Sequence, residues 1–480
     1  MLFRLTGLTG VVSAANSLVG SNAGDFVGNQ GVTALSNSNY VVASSNWTNG
    51  ATAQAGAVTW ADGSTGLSGA VSTANSLVGT TTNDYVGNGG VTALINGNYV
   101  VGSYHWTNGT IAGVGAVTWA NGSTGLSGVV SAANSLVGTT AYDYVGGGIT
   151  ALSNGNYVVA SSNWHNGATA NAGAVTWAYG STGLSGAVSA ANSLVGTAAN
   201  DYVGIGGVNP LSNGNYVVRS NYWANGSATQ AGAATWANGR AGLSGAVSAT
   251  NSLVGTTTSD NVGAVVIRLR NSNYVVGSSN WTNGATATPG VGAVTWANGG
   301  TGLSGVVSAA NSLVGTTTGD HVGYGVAALR SNDNYVTWSP DWANGALAGV
   351  GAVTWANGGR GLSGAVSAAN SLIGTTQYDN VGSGDVNNIH RLSNGDYAIV
   401  STVWANGATG SAGAVSLGRG SSGLIGPILA TNSVRGTTAG GGSSLVLAYD
   451  AMRDQLVVGQ PASNIVSLFK ADQLFANGFD

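Results

Sequence analysis

Short alternations of apolar and polar residues recur along this chain at a nearly constant interval. In residues 91–138 the apolar runs VTAL, YVVGS and AVTW are followed by the stretch GLSGVVSAANSLVG, and the turn-forming segments INGN, HWTNGTIAGVG and ANGST divide them. Within AVTW, Val117 and Trp119 fall on one side of an extended chain and Ala116 and Thr118 on the other, the two-residue period of a strand. Asn-Gly between VTAL and YVVGS is a strong hairpin signal. The pattern predicts four short antiparallel strands per interval and no helix. Near-copies of GLSGAVSTANSLVG begin at Gly7, Gly66, Gly125, Gly183, Gly242, Gly302 and Gly361, with a degraded copy at Gly423, so the interval is about 59 residues throughout.

Four-stranded units joined by Gly-rich turns predict an all-β fold, a β-propeller. Strand counting gives eight blades: residues 21–79, 80–138, 139–196, 197–255, 256–315, 316–374, 375–436 and 437–472. The last blade lacks its fourth strand, and residues 7–20, which precede any complete blade, are expected to supply it as a closing strand. Such pairing of the two termini removes exposed sheet edges. Residues 473–480 form a C-terminal tail. Two alternatives stay open: seven blades plus a divergent cap, because the eighth unit is aberrant, and a parallel β-helix, which fits the NG turns poorly.

Composition changes the picture in three ways. Only 6% of residues are charged and 81 are Gly, which alone would suggest disorder, but 43% hydrophobic content, 14 Trp and 17 Tyr, and Val and Trp at fixed phases of the repeat indicate a folded core. All sixteen acidic residues are Asp, and a net charge of −4 with scattered Arg leaves no footprint for nucleic acid. No apolar run approaches a membrane span, so no membrane insertion is expected. Without Cys, disulfides, thiolate metal sites and Cys nucleophiles are excluded. The N-terminal MLFRLTGLTG lacks the apolar core of a signal peptide, and the expectation is a piece of a longer secreted precursor.

Unit eight, LVLAYDAMRDQLVVGQPASNIVSLF, resembles the FG-GAP repeats of integrin α-subunit propellers, and Val86-Gly87, Asn98 to Val101 and Gly115 to Trp119 stand at corresponding places in unit two. More closely, NGNYVVASSNW and AGAVTWANGSTGLSG resemble repeats of unknown function in large bacterial secreted or surface proteins of the filamentous-haemagglutinin-like kind. The resemblance covers nearly the whole chain and implies a propeller in an extracellular or cell-surface setting. It carries over no chemistry. FG-GAP loops often hold calcium through Asp, whereas here SNSNY, INGNY, SNGNY and SNDNY offer mainly neutral Asn, so no calcium is expected in units one to seven. Only Asp450 and Asp454 in unit eight keep a weak metal possibility.

Three sets of residues recur at fixed phases. Asp25, Asp84, Asp143, Asp201, Asp260, Asp320 and Asp379 are read first as turn residues accepting backbone N–H bonds, and alternatively as a carboxylate ring. Trp60, Trp119, Trp177, Trp236, Trp296 and Trp355 close the AVTW strands and are read as packing between blades. Trp47, Trp106, Trp164, Trp223, Trp281, Trp342 and Trp404 stand in W-x-N-G loops, either packed beneath the loop or exposed as a sugar-stacking surface.

No catalytic motif is present, and His105, His165, His321 and His390 share no common phase with a nucleophile. The expected function is a non-enzymatic adhesion or binding module with a glycan or protein partner at a propeller face, no cofactor, and an oligomeric state left open. The alternatives are a carbohydrate-active enzyme using paired Asp residues and a structural spacer.

Overall fold

The computed structural model describes residues 11–284, 288–329, 332–383 and 389–470. The chain divides into two compact units, Met1–Val218 with Ala237–Val247, and Arg219–Trp236 with Ser248–Asp480. Among the described residues there is no α-helix, only strands and the 3₁₀ turns Gly441–Ser444 and Pro461–Ser463. The eight repeats each form a sheet, mostly of five strands.

The second repeat, in the first unit, shows how the sequence builds each sheet. Val91–Ala93, Tyr99–Ser103, Ala116–Ala120 and Ser135–Val137 form an antiparallel meander. The 14-residue stretch that marks the period therefore does supply the fourth strand of its own repeat, through its second half. Its first half does something the alternation pattern did not reveal. Gly186–Ala187, from the following repeat, pairs in parallel with Leu136 and Val137 and becomes a fifth strand. The same exchange joins Ser312–Val314 to Gly364–Ala365 in the second unit.

Leu18–Val19, in the first copy of the marker stretch, pairs in parallel with Gly69–Ala70, as the six copies after it pair with their successors. The last sheet consists of Val446–Asp450, Gln455–Gln460 and Ile465–Lys470, three strands from the C-terminal segment. Residues 7–10 and the tail at 473–480 lie outside the described residues.

The core lies between successive sheets. In Tyr99–Ser103, alternate side chains face opposite ways: Tyr99 and Val101 pack with Val41, Val58 and Leu77 of the repeat before, while Val100 packs with Tyr157 and Val159 of the repeat after. Burial on both faces explains why these strands read as continuous apolar runs rather than strict alternation. A buried hydroxyl pair, Thr118 Oγ1 and Ser135 Oγ at 2.7 Å, ties the third strand to the fourth. Asn134 fixes the turn before it, accepting from Ser131 N–H and donating to the Val129 carbonyl.

Each repeat also grips its successor through one peptide carbonyl. The Gly122 oxygen accepts from Asn37 Nδ2, Asn39 Nδ2 and Trp60 Nε1, each at 2.8 Å. In the second unit Gly358 accepts from Asn271, Asn273 and Trp296 in the same way, each at 2.9 Å. The acceptor must be glycine, because a Cβ at Gly122 would lie 1.7 Å from the Gly97 carbonyl oxygen. Gly122→Ala should therefore lower the urea midpoint far more than Trp60→Phe, which keeps the ring and removes one donor at about 1 kcal/mol. Equal losses would show that the close approach at Gly122 is readily relieved.

Candidate functional site

The seven recurrent aspartates are buried, and their carboxylates serve the backbone. Asp84 Oδ2 accepts from Thr80 N–H at 2.9 Å and Thr81 N–H at 2.8 Å, while Oδ1 accepts from Thr107 N–H at 3.0 Å. The same bonds recur at Asp25, Asp143, Asp260, Asp320 and Asp379, and Asp201 accepts from Thr197 and Ala198. Each carboxylate thus pins its own turn to the loop that follows the second strand. At Asp143 the loop residue is His165, whose Nδ1 also lies 2.8 Å from Oδ1. With its oxygens engaged in this way, each aspartate is a fastener of its repeat, and no ring of free carboxylates is available to a cation.

The tryptophans of the W-x-N-G loops are only 2–5% exposed, which corrects the reading of them as a stacking surface. Trp106 lies in the layer between two sheets with Tyr99, Val101 and Val114. The indole N–H of all seven finds no acceptor among the described residues, so these rings are held by packing. Asp450 and Asp454 do not converge on a metal site either. Asp450 pairs with Arg453 at 2.8 Å, and Asp454 accepts from Asn394 at 2.8 Å and from the Tyr449 hydroxyl. Among the described residues no group of three metal-ligating side chains forms. The histidines are equally dispersed. His105 stacks among Tyr85, Tyr104 and Tyr144, His321 faces Asp341 at 3.1 Å, and His390 sits in the strand Ile389–Arg391.

The surface that is left open belongs to the other tryptophan series. Trp177 and Trp296 are partly exposed, and each lines a groove at the junction of two repeats, of about 450 Å³ in the first unit and about 460 Å³ in the second. The grooves occupy the same phase of the repeat. Trp177, Leu184, Asn192, Leu243 and Ser244 line one; Trp296, Leu303, Asn311, Leu362 and Ser363 line the other. Each Trp is fixed from two directions. Its Nε1 donates to a carbonyl of the next repeat, Gly239 for Trp177 and Gly358 for Trp296, both at 2.9 Å. Its Cβ–Cγ edge lies under Gly242 or Gly361, where an added Cβ would come within 2.7 or 2.3 Å. Both glycines have φ of +71°. In the first groove Tyr179, 53% exposed, adds an edge-to-face contact to Trp177 with ring centroids 4.5 Å apart.

A rigid aromatic floor, two leucines and a few neutral polar groups suit binding of a small amphipathic ring and offer no acid–base pair. The strand-end position read from sequence as interior packing is therefore where the groove forms. The signal available was the recurrent GLSG, GLIG in the last copy, whose leading glycine places a side-chain-free residue against the ring of the repeat before it.

Fold and grooves together define a class: an all-β tandem-repeat protein with a groove of the same lining in each of its two compact units. The chain belongs to the family described as a repeat of unknown function, DUF5650, which matches residues 3–29, 34–88, 93–147, 151–205, 210–264, 268–324, 329–383 and 391–444. No curated protein matches it. Among solved structures it is similar to a candidate 6-phosphogluconolactonase of Bacteroides fragilis, at 11% identity and a TM-score of 0.30 over 81% of this chain and 94% of that one. Hydrazine synthase of Kuenenia stuttgartiensis is similar at 10% identity and a TM-score of 0.27, over 78% and 92%. Similarity at this level carries no inference about activity.

Burial raises the carboxyls of Asp84, Asp260 and Asp320 above 3.8, against the opposing pull of their backbone N–H bonds. A raised folded-state pKa means that their contribution is fully present below the unfolded value of 3.8 and is lost as pH rises through the folded one. Stability of the wild type relative to an Asp84→Asn, Asp260→Asn, Asp320→Asn variant should therefore rise as pH falls from neutrality towards 4. Urea midpoints across that range check the sign, and a relative fall on acidification would mean that the N–H bonds outweigh burial. Asp84→Ala, which orphans three N–H groups, should cost about 2–4 kcal/mol at neutral pH.

Proposed function

We propose that this protein is a non-enzymatic binding module whose repeat junctions hold the ligand. The observation that carries this reading is the recurrence of one groove, with the same Trp–Leu–Asn–Leu–Ser lining, in both compact units. A spacer has no need of partly exposed rings held by hydrogen bonds in six successive repeats, whereas a multivalent binder gains avidity from every copy. The aspartates are committed to backbone bonds, which disfavours the reading as an enzyme using paired carboxyls. Successive four-stranded meanders packed face to face are how propeller blades stack, and this supports a propeller arrangement of the repeats. The resemblance of unit eight to FG-GAP repeats, and of the others to haemagglutinin-like repeats, supports adhesion at a bacterial surface or in the medium.

A glycan array and a panel of extracellular-matrix proteins, probed with the intact chain, should return saturable binding. That binding should weaken several-fold in Tyr179→Ala with the far-ultraviolet spectrum unchanged. A blank array and panel, or binding untouched by changes at both grooves, would reject the assignment.

A further inference from the structure

The two grooves are nearly identical, and where they differ they differ in chemistry. The first presents Tyr179 and Ala241; at the same two places the second presents Asn298 and Arg360. Arg360 is exposed on the groove wall, and among the described residues its guanidinium meets no carboxylate or carbonyl. No acidic side chain lines this groove, so the guanidinium is its single charge. The first groove has no charged lining residue: Arg240 stands one residue before Ala241 and lies outside the lining.

From this pair of grooves we infer that the chain discriminates between two kinds of saccharide. The Trp177–Tyr179 groove takes a neutral sugar ring, and the Trp296–Arg360 groove takes a sugar bearing a carboxylate. The inference rests on the binding reading above and adds the ligand class. An aromatic face accepts the C–H face of a pyranose, while Asn192 and Ser244, or Asn311 and Ser363, are neutral lining residues within the groove. A ring carboxylate beside Trp296 would meet the planar guanidinium in two parallel N–H···O bonds, the geometry in which Arg exceeds Lys. The exposed setting of Arg360 makes that pair sensitive to salt. In the neutral groove the same carboxylate would lose its hydration without a partner.

The test is calorimetric titration of the intact protein with two probes, trigalacturonate and the neutral trisaccharide of galactose. Arg360→Gln should weaken trigalacturonate by about tenfold or more and leave the neutral probe unchanged. Arg240→Gln should change neither, and Ala241→Arg should add a second acidic-sugar site. Raising salt should weaken only the acidic probe. Because the Arg360 guanidinium makes no hydrogen bond or ion pair among the described residues, its variant is expected to fold, and an unchanged melting transition verifies this. Trigalacturonate binding that survives Arg360→Gln at full strength, or wild-type protein that binds the neutral probe alone, overturns the inference while leaving the binding role intact. Failure of both probes together with a blank glycan array and protein panel overturns both.

Discussion

Three N–H donors aimed at one peptide oxygen hold this structure together. Two asparagines and an indole of one repeat meet on a glycine carbonyl of the next, and much of the repeat's sequence follows from that meeting. Asparagine is required because its amide donates without carrying charge into a packed interface. Glycine is required because the neighbouring hairpin leaves no room for a Cβ. Tryptophan is required because it reaches the oxygen while its rings still cover the strand. At the last junction the arrangement lapses: Leu417 stands in place of Trp and Asp396 in place of Asn, and Asn394 turns instead to Asp454. There the contact relies on Leu392, Leu417, Leu456 and Val458 packing together.

The strands were legible because their signal is local. Period-two alternation and Asn-Gly turns placed Tyr99–Ser103 and Ala116–Ala120 within a residue of their observed ends. The parallel fifth strand was not legible, since Gly186–Ala187 is too short to show a period and its partner lies 50 residues earlier. The first copy enters the same exchange, and nothing in a two-residue strand announces which edge it will join.

The tryptophans show where composition misleads. A ring among Ser, Asn and Gly looks exposed, yet Trp106 projects from a loop that folds back into the layer between sheets. A ring at the end of a strand looks interior, yet Trp177 sits where the next repeat offers only glycine, and one side of it stays open. Burial here depends on what the following repeat brings, which is non-local information. The aspartates were easier, because an Asp accepting N–H bonds from residues three and four positions earlier is a local motif.

The strand that each of the first six repeats receives from its successor gives the array a polarity. A repeat needs the one after it to complete its sheet and to accept its three donors, whereas the one before it asks only for an edge and a carbonyl. Order in such a chain is handed on asymmetrically between nearest neighbours. During synthesis each repeat stays unfinished until the next has emerged, so folding trails the growing chain by one unit. Loss of a repeat is felt upstream before it is felt downstream.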